Sequence, residues 1–523
     1  MSNLGNKGSS RILDSDKYQR RQKGTKGKYS KDKKLNAGLK KVDKQYKDAV
    51  KSAARTEILL QEEAGFLEAD SPMEKTFKFK QGEIQDAVDI GTSNKKFSLS
   101  LPDYGPYTMN YSRNGRNLLI GGQKGHVASV DWRTGGLNCE LFLNETVHAV
   151  TYLHNDQYFA CAQKKYTFIY DKTGAELHRL KQHIDSILLD FLPYHFLLVS
   201  AGNTGFLKYH DVSTGELVSE LRTKMGPTQA MKKNPWNAVM HLGHGNGTVS
   251  LWAPNMSTPL AKIQSCRGPI RDLAIDREGR YMAVAGADKS IKIMDIRKFK
   301  EVDNYYSPTP ASSLDFSDNG LLSVGWGPHV TVWKDVLKAK QSDPYMNHLI
   351  PSSRVEKLKF LPFEDIIGVG HQKGFSSLII PGSGEANYDS LEINPYETAK
   401  QRQEQEVKSL LNKLSPDTIS LDPNVIGTVN KNANSIRLKL NEINELSDGQ
   451  NGNKMEIRPE VKGSNSSLRK HLRKKRQNVI DQRKMKIEKN LKLEKEARQR
   501  RLNELNGKPE EKDLLGSALS RFE

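Results

Sequence analysis

The side chains of this sequence best suited to chemistry are its histidines, its cysteines and a few glycine clusters. Of the 13 histidines, four recur near predicted hairpin turns, where a ring of imidazoles could bind a transition metal. These four are His126, His244, His329 and His371. Their offsets within the surrounding sequence are inconsistent, and no carboxylate accompanies them regularly. We therefore expect structural hydrogen bonds from them and no metal site.

The motifs of common catalytic sites are absent from the sequence. There is no G-x-x-x-x-G-K-[ST] phosphate loop, no G-x-S-x-G nucleophile turn and no H-E-x-x-H zinc helix. The glycines at 243, 245 and 247 have the wrong spacing for a dinucleotide-binding loop, so we expect them to be turn glycines. We predict a protein that is not an enzyme, with no catalytic residues, no cofactor and no small-molecule substrate.

The three cysteines lie far apart and form no C-x-x-C pair. Cys139, Cys161 and Cys266 therefore suggest neither a disulfide framework nor a zinc site, and we expect buried thiols in a reducing compartment. No apolar run approaches the ~18–20 residues that cross a bilayer, and the first residues lack the apolar core of a secretory signal. A soluble intracellular protein is expected.

A unit of about forty residues recurs between about residues 97 and 386. Its clearest form is an apolar strand ending near a glycine, a short turn, and a strand of alternating apolar residues. The marker glycines are Gly122, Gly202, Gly243, Gly286, Gly325 and Gly370. The first interval is 80 residues and the others are 41, 43, 39 and 45. One unit is therefore skipped, and there Ala162 takes the place of the glycine.

A second marker, the residue that ends the later strand, repeats with the same period. The markers are Trp132, Tyr170, His210, Trp252, Met294 and Trp333. Short strands in repeats of this length predict an all-β fold, a seven-bladed WD-repeat-type β-propeller over residues 97–386. The Trp-Asp signature itself is eroded. We predict that the segment 97–101 supplies the outer strand of the last blade and closes the ring.

The positive charge is concentrated near the two ends. Residues 1–55 carry a net +12 and residues 468–501 a net +11, against +19 for the whole chain. The remainder is therefore slightly acidic. Two basic arms of this kind favour a polyanionic partner without selecting RNA, DNA or an acidic membrane.

The first arm, residues 1–38, is rich in Lys, Gly, Ser and Asn and poor in large apolar side chains. Such a segment cannot bury enough surface to fold alone, so we predict a disordered basic arm that contacts RNA phosphates. A solvated tail or a nuclear import signal is the alternative interpretation.

Apolar residues then recur mostly at three- and four-residue steps as far as Leu67, with a break at Glu57. This pattern predicts an amphipathic helix over residues 39–70 and a linker over 71–96. The stripe needs a surface on which to bury itself, so we predict docking on a partner or on the side of the ring. The candidate docking residues are Leu39, Val42, Tyr46, Leu60 and Leu67. A self-contained local helix is the alternative.

After the repeats, residues 387–430 contain a helix-start signal. Asn394 suits an N-cap, Pro395 suits the first turn, and Glu397 completes a capping-box arrangement. The helix is predicted to continue to about Leu414. The candidate docking residues here are Asn394, Pro395, Tyr396 and Glu397.

The segment NPYETAKQRQEQEVKSLLNKLSPDTISLDP, directly after a degenerate propeller, resembles the C-terminal domain that defines one family of WD-repeat ribosome-assembly proteins. The stretch QEEAGFLEAD at 61–70 is similar to the segment that precedes the propeller in that family. The resemblance covers roughly residues 55–430. It implies a scaffold subunit of the small-subunit processome, located in the nucleolus of the nucleus and needed for early cleavages of the rRNA precursor. The implied partners are pre-rRNA, U3 snoRNA and other processome proteins, including WD-repeat subunits.

The rest of the chain is predicted to be a short helix and polar linker over 431–465 and a basic helical tail over 466–523. The tail has few apolar positions, and a long helix of one charge sign suits a path between RNA phosphates. A solvated single helix is the alternative. The candidate RNA-binding residues of both arms are Arg20, Arg21, Lys23, Lys26, Lys28, Lys33, Lys34, Lys470, Arg473, Lys474, Lys475, Arg476, Arg483 and Lys484.

Three rival classes remain open at this stage. The first is a WD-repeat adaptor bound to chromatin or DNA, and the second is an enzyme that uses the central channel of the propeller. The third is a membrane-surface protein bound through its basic helix, which the weak apolar face of 466–501 disfavours, so we expect no membrane partner.

Overall fold

The computed structural model describes residues 33–56, 65–70, 73–390, 392–423 and 482–505. The chain divides into two compact units, one of which contains the propeller and its flanking segments. The α-helices within the described residues are α1 (Lys33–Thr56), α2 (Gln81–Ala87), α3 (Ile90–Ser93), α4 (Ala399–Leu411) and α5 (Gln482–Leu505). Helix α5 and most of α1 belong to the second unit. None of these helices has both the length and the apolar character needed to span a bilayer.

Seven antiparallel sheets of four strands each form the body of the first unit, which confirms the predicted seven-bladed β-propeller. The strands of blades 1 to 3 are β2 (Tyr107–Tyr111), β3 (Asn117–Gly122), β4 (His126–Asp131), β5 (Gly136–Phe142); β6 (Val147–Tyr152), β7 (Tyr158–Gln163), β8 (Tyr166–Asp171), β9 (Glu176–Ile184); and β10 (Ser186–Leu192), β11 (Leu197–Gly202), β12 (Phe206–Asp211), β13 (Leu217–Arg222).

The strands of blades 4 to 7 follow the same plan. They are β14 (Thr228–Lys233), β15 (Met240–His244), β16 (Thr248–Trp252), β17 (Ala261–Gln264); β18 (Ile270–Ile275), β19 (Tyr281–Gly286), β20 (Ser290–Asp295), β21 (Lys300–Tyr306); β22 (Ala311–Phe316), β23 (Leu322–Trp326), β24 (His329–Trp333), β25 (Met346–Leu349); and β26 (Val355–Phe360), β27 (Ile366–His371), β28 (Gly374–Ile379), β1 (Ser98–Ser100).

The ring closes as the sequence predicts. The first strand of each blade contacts the first strands of the blades on either side, and β26 of blade 7 contacts β2 of blade 1. Strand β1 pairs antiparallel with β28, with Leu99 opposite Phe375. A strand from before the first blade therefore completes the last one, which joins the two ends of the repeat array.

The core lies between the blades, because each sheet buries both faces against its neighbours. Strands β3, β11 and β27 are buried at every position, whereas the outer strand β9 is exposed at most positions. Burial therefore decreases from the centre of the ring to its rim, which explains why the second strand of each blade is a nearly continuous apolar run and the fourth strand is not.

The register of the sheets explains the recurrent glycine. A Cβ atom on Gly243 would lie 2.7 Å from Cγ2 of Ile270, and one on Gly325 would lie 2.8 Å from Cγ1 of Val355. Ile270 and Val355 begin the first strands of the following blades, so the position must be small for adjacent blades to pack. The register also corrects the alignment of the repeats. Four blades share one strand position, at Ala162, Gly243, Gly325 and Gly370. In the other three blades the marker glycine lies one residue beyond that position, at Gly122, Gly202 and Gly286.

The predicted linker over 71–96 contains helices α2 and α3 and is attached to blade 7. The side-chain amide of Gln81 donates to the carbonyl of Ile379 at 2.8 Å and accepts from its N–H at 2.9 Å. Both pairing groups of the end of β28 are thereby satisfied by a buried glutamine. The segment acts as an extension of the propeller.

The predicted helix over 39–70 has different limits in the structure. Helix α1 begins at Lys33 and ends at Thr56, and residues 65–70 are not helical. The break foreseen at Glu57 therefore falls just beyond the end of the helix. In that later part, the backbone N–H of Leu67 donates to the hydroxyl of Tyr345 at 2.8 Å, which is a tertiary contact in place of a helical hydrogen bond.

Candidate interaction surfaces

The segment after the last blade lies against one face of the propeller. It contacts the loops that join the first and second strands of the blades and, in blades 3 and 4, also the connections between the third and fourth strands. It begins at blades 6 and 7, where the amide of Asn319 donates to the carbonyls of Gly382 and Gly384 at 3.0 and 2.7 Å. The N–H of Gly384 donates to Asp365 at 2.8 Å. Arg277 of blade 5 forms an ion pair with Glu385.

The NPYE motif contacts the loop of blade 1. The amide of Asn114 donates to Glu397 at 3.3 Å, and Arg113 forms an ion pair at 2.9 Å with Glu392, two residues before the motif. Pro395 is buried, and the exposed ring of Tyr396 lies 4.9 Å from the guanidinium of Arg133. Burial raises the pKa of Glu397. The motif therefore positions the chain on the propeller as well as preceding a helix.

The predicted N-cap is wrong. Helix α4 begins at Ala399, its N-cap is Thr398, and the capping box joins Thr398 to Gln401. Asn394 instead accepts from the N–H of Tyr396 at 2.9 Å, which is the local turn bond that asparagine favours. Glu397 is directed to Asn114, so the tertiary contact competes successfully with the local cap.

Helix α4 packs one face on blade 2. His154 lies 2.9 Å from Glu406, and Arg402 forms an ion pair with Asp156 at 3.6 Å. Beyond the helix, Lys413 forms an ion pair with Asp211 of blade 3. Val407, Leu410 and Leu411 of the helix are exposed, as is Leu414 beyond its end.

The segment ends on blades 3 and 4. His195 lies 3.1 Å from the hydroxyl of Thr418, and Asn255 donates to the carbonyl of Asp417 at 3.0 Å. Ile419 is buried within the largest apolar cluster of the propeller, beside residues of blades 3, 4 and 5. The segment over 382–421 thus contacts a loop of every blade, and these contacts help to fix the positions of the seven blades relative to one another.

The centre of the ring contains charged pairs that the sequence analysis did not single out. Lys232 forms an ion pair with Asp315 at 2.8 Å, and Lys357 forms one with Asp272 at 3.0 Å. Each aspartate also accepts a backbone N–H of the adjacent first strand. The alternation in TQAMKK and ASSLDF was the available signal, but only the closed ring shows that these charges meet.

The four singled-out histidines have separate structural roles. His126 lies 3.2 Å from the hydroxyl of Tyr107 and 3.0 Å from Glu140, and His244 lies 2.6 Å from the hydroxyl of Ser250. His371 contacts Ser376 at 3.1 Å, and the ring of His329 stacks on Trp326. Among the described residues, no three His, Cys, Asp or Glu side chains group as metal ligands. All three cysteines are free and buried, as expected.

Comparison with known proteins decides the family. The chain is 58% identical over 517 residues to U3 small nucleolar RNA-associated protein 7 of Saccharomyces cerevisiae, covering 94% of this chain and 93% of that protein. This chain belongs to the family of that protein. The resemblance drawn from the NPYE segment is thereby confirmed.

Animal members of the family are also similar to this chain. WD repeat-containing protein 46 of Homo sapiens is 47% identical over 72% of this chain and 62% of its own length, and the Caenorhabditis elegans protein of the same name is 41% identical over 76% and 69%. The BING4CT (NUC141) domain family matches residues 344–422. That match begins at the last strand of blade 6, so the family domain includes blade 7 and the segment that lies across the face.

The family's propeller is preceded here by α1, whose shielded side differs in part from the predicted stripe. Leu39 and Tyr46 are half-buried, but Val42 is 49% exposed. Val50 and Ala54 are the buried positions of the helix. The shielded side of the helix therefore does not follow the predicted stripe along its whole length.

The predicted docking residues of this family member do not form one surface. Leu67 packs against the apolar cluster of blades 6 and 7, so it is part of the fold. Leu60 lies outside the described residues. The NPYE residues contact the propeller, with Tyr396 left 65% exposed.

Most of the predicted RNA-binding residues lie outside the described part of the chain. Lys33 and Lys34 are exposed in the first turn of α1, and Arg483 and Lys484 lie in the first turn of α5, where only the backbone is described. Five further lysines of α1, at positions 40, 41, 44, 47 and 51, are also exposed. The residues outside the described ranges are Arg20, Arg21, Lys23, Lys26, Lys28, Lys470, Arg473, Lys474, Lys475 and Arg476.

Proposed function

We propose that this chain is a non-catalytic scaffold subunit of the small-subunit processome, the U3 snoRNP assembly that folds and cleaves the precursor of small-subunit rRNA. The observation that carries the proposal is 58% identity, over 94% of the chain, to a protein whose name describes association with U3 small nucleolar RNA. The proposed location is the nucleolus.

The arrangement of the propeller supports a scaffold role. A closed ring of seven sheets, held by a segment that contacts every blade, keeps its outer strands and loops in fixed positions. Rigid loops on a rigid frame are suited to binding several proteins at once. The proposed protein partners are other processome subunits, including WD-repeat proteins.

The charge distribution supports contact with pre-rRNA and U3 snoRNA through the two arms. The exposed lysines of α1 and the basic composition of 468–501 provide cations without a fixed pattern of base-reading groups. Such cations bind phosphates, release counterions and anchor a protein without selecting a base sequence.

The test replaces five cations of the C-terminal arm in the full-length protein. A variant with Gln at Lys470, Arg473, Lys474, Lys475 and Arg476 is compared with wild type for binding to a single-stranded pre-rRNA fragment over a range of salt concentrations. Each lost phosphate contact should reduce the slope of log affinity against log salt by about 0.7, so the variant should show a smaller slope by up to about 3.5.

A charge-matched control changes five exposed lysines of the propeller to Gln, at Lys164, Lys165, Lys224, Lys262 and Lys300. Equal losses in both variants would show only the effect of net charge and would refute the arm as an RNA anchor. In native extracts, association with neighbouring proteins should be lost after RNase treatment. Survival after RNase but not after DNase would favour a DNA-bound adaptor and would contradict the proposal.

A further inference from the structure

A cavity of about 430 Å³ lies where blade 7 meets the segment before the propeller. Its walls come from α2, from strand β1 and the residues before it, from the end of β27, β28 and the turn between them, and from the end of β25 and the loop after it. The cavity is therefore formed by the ring closure itself.

The cavity is lined by cationic and hydrogen-bonding groups. Lys96, Lys373, His348 and His371 line it, together with five serines, and its lining among the described residues includes no Asp or Glu. A cavity of this size with several basic groups and no carboxylate selects an anion. The carboxylate of Glu364 is paired with the neighbouring Lys95 at 2.6 Å, and the ammonium of Lys96 donates at 3.2 Å to the side-chain oxygen of Gln85, which also lines the cavity.

The hydrogen bonds of His371 define what one wall offers to a ligand. The N–H of Lys373 donates to Nδ1 of His371 at 3.2 Å, so Nδ1 accepts and Nε2 carries the proton. Nε2 then donates to the hydroxyl of Ser376 at 3.1 Å. The hydroxyl of Ser376 accepts that bond and keeps its own proton for a further acceptor, such as a phosphate oxygen.

The remaining wall is apolar and of the right kind for a nucleobase or a ribose. Phe97, Ile350, Pro351 and Leu378 also line the cavity. A bare inorganic anion would use only the basic wall, whereas a volume of about 430 Å³ falls in the range of sites for small organic ligands. A nucleotide combines a phosphate with an apolar, stackable base.

We propose that this cavity binds one unpaired nucleotide of RNA, with the phosphate on one side of the nucleotide held by Lys96 and His348 and the phosphate on the other side held by Lys373. The inference rests on the proposed RNA association and deepens it, because it places a built RNA contact on the folded propeller in addition to the basic arms. Burial, and then the charges of Lys96 and His329, lower the pKa of His348. A bound phosphate would offset that concentration of positive charge.

The first test is lysine footprinting on the full-length protein. An amine-acylating reagent is applied with and without a 12-nucleotide single-stranded pre-rRNA fragment, and modified lysines are identified by mass spectrometry. Acylation of Lys96 and Lys373 should fall several-fold when RNA is present. Lys262, exposed on the outer strand of blade 4, is the internal control and should not change.

The outcomes separate this inference from the proposed function. Protection of Lys470 and Lys474 without protection of Lys96 and Lys373 overturns the nucleotide site and leaves the arms as RNA anchors. Protection at none of these four positions contradicts both. Protection of the cavity by a phosphoserine peptide, and not by the RNA fragment, would overturn the choice of ligand.

A double variant provides the second test. K96Q with K373Q should reduce the slope of log affinity against log salt by about 1.4, as expected for two lost phosphate contacts, with the thermal unfolding midpoint unchanged. The charge-matched control is K262Q with K300Q, at two exposed lysines of outer strands. An unchanged slope in the double variant would overturn the proposal even if footprinting gave protection.

Discussion

Individual buried polar side chains determine how this propeller responds to substitution and to pH. Asp315 is 6% exposed and accepts both from Lys232 at 2.8 Å and from the N–H of Phe360 at 2.9 Å. It links the first strands of blades 4, 6 and 7 at the centre of the ring. His183, by contrast, is fully buried and lies 2.6 Å from the hydroxyl of Ser200. One is stabilised as an ion and the other as a neutral group.

Replacement of Asp315 by alanine should destabilise the protein by about 3–5 kcal/mol, because it leaves the Lys232 ammonium without its partner in the ring centre. The measurement is chemical denaturation of the full-length protein. Glu145, an exposed residue in the turn before blade 2, is the control, and E145A should change stability by less than about 0.5 kcal/mol. Equal effects of the two substitutions would show that the central ion pair contributes nothing.

Burial lowers the pKa of His183 to about 3, compared with about 6.5 in an unfolded chain. The unfolded state therefore binds a proton below about pH 6.5 that the folded state does not bind. The contribution of His183 to stability is full above that pH and falls as the pH drops toward the folded pKa.

The substitution H183N should consequently cost less at pH 5.5 than at pH 7.5, by about 1.4 kcal/mol. The measurement is the free energy of unfolding of both proteins at the two pH values. A difference that is independent of pH would mean that His183 has the same pKa in the folded and unfolded states, and a larger cost at pH 5.5 would mean that it is protonated in the fold. Burial also lowers the pKa of His195, His241 and His244, each to about 4. Their contributions to stability should therefore fall with decreasing pH in the same way.

At the scale of elements, the segment after the last blade shows how a short stretch of chain can be held without forming a core of its own. Helix α4 has no buried residue, and its contacts to the propeller are ion pairs and hydrogen bonds such as those of Arg402 and Glu406. The apolar anchor comes eight residues after the helix ends, at Ile419, which is 2% exposed. The segment is therefore fixed at its ends and lies on the surface between them.

Truncation of that anchor should release the segment. I419A should lower stability by about 2–5 kcal/mol and should make the chain cleavable by trypsin after Lys408 and Lys413. Leu411 is 80% exposed on the same segment, so L411A is the matched control and should leave both properties unchanged. If I419A stays as resistant to trypsin as wild type, the polar contacts of α4 are sufficient to hold the segment.

At the scale of the whole molecule, closure of the ring depends on one short strand. Strand β1 has only three residues, and it is paired to β28 beside Gly374. Gly374 has a φ of 144°, and a Cβ there would lie 2.0 Å from the carbonyl oxygen of Leu99. The closure therefore requires glycine both for the backbone angle and for the close approach.

The substitution G374A should separate β1 from β28 and lower stability by at least about 2 kcal/mol. Hydrogen exchange of the Leu101 N–H, which donates to Lys373 at 2.7 Å, should become faster. Gly245 lies in a turn of blade 4, where a Cβ would meet no atom closer than 3.8 Å, so G245A is the control. Slow exchange at Leu101 in G374A would show that the closure tolerates a side chain.

The sequence alone was sufficient for the seven blades, the closing strand and the family. These follow from period-2 alternation within strands, a forty-residue repeat and the NPYE segment, all of which are patterns within one stretch of chain. The tertiary structure decided what depends on residues far apart: the contact of Asn114 with Glu397, the pairing of Lys232 with Asp315, and the cavity between Lys96 and His348. No local pattern predicts such contacts, because the closed ring brings together side chains whose separation in sequence carries no information about their distance in space.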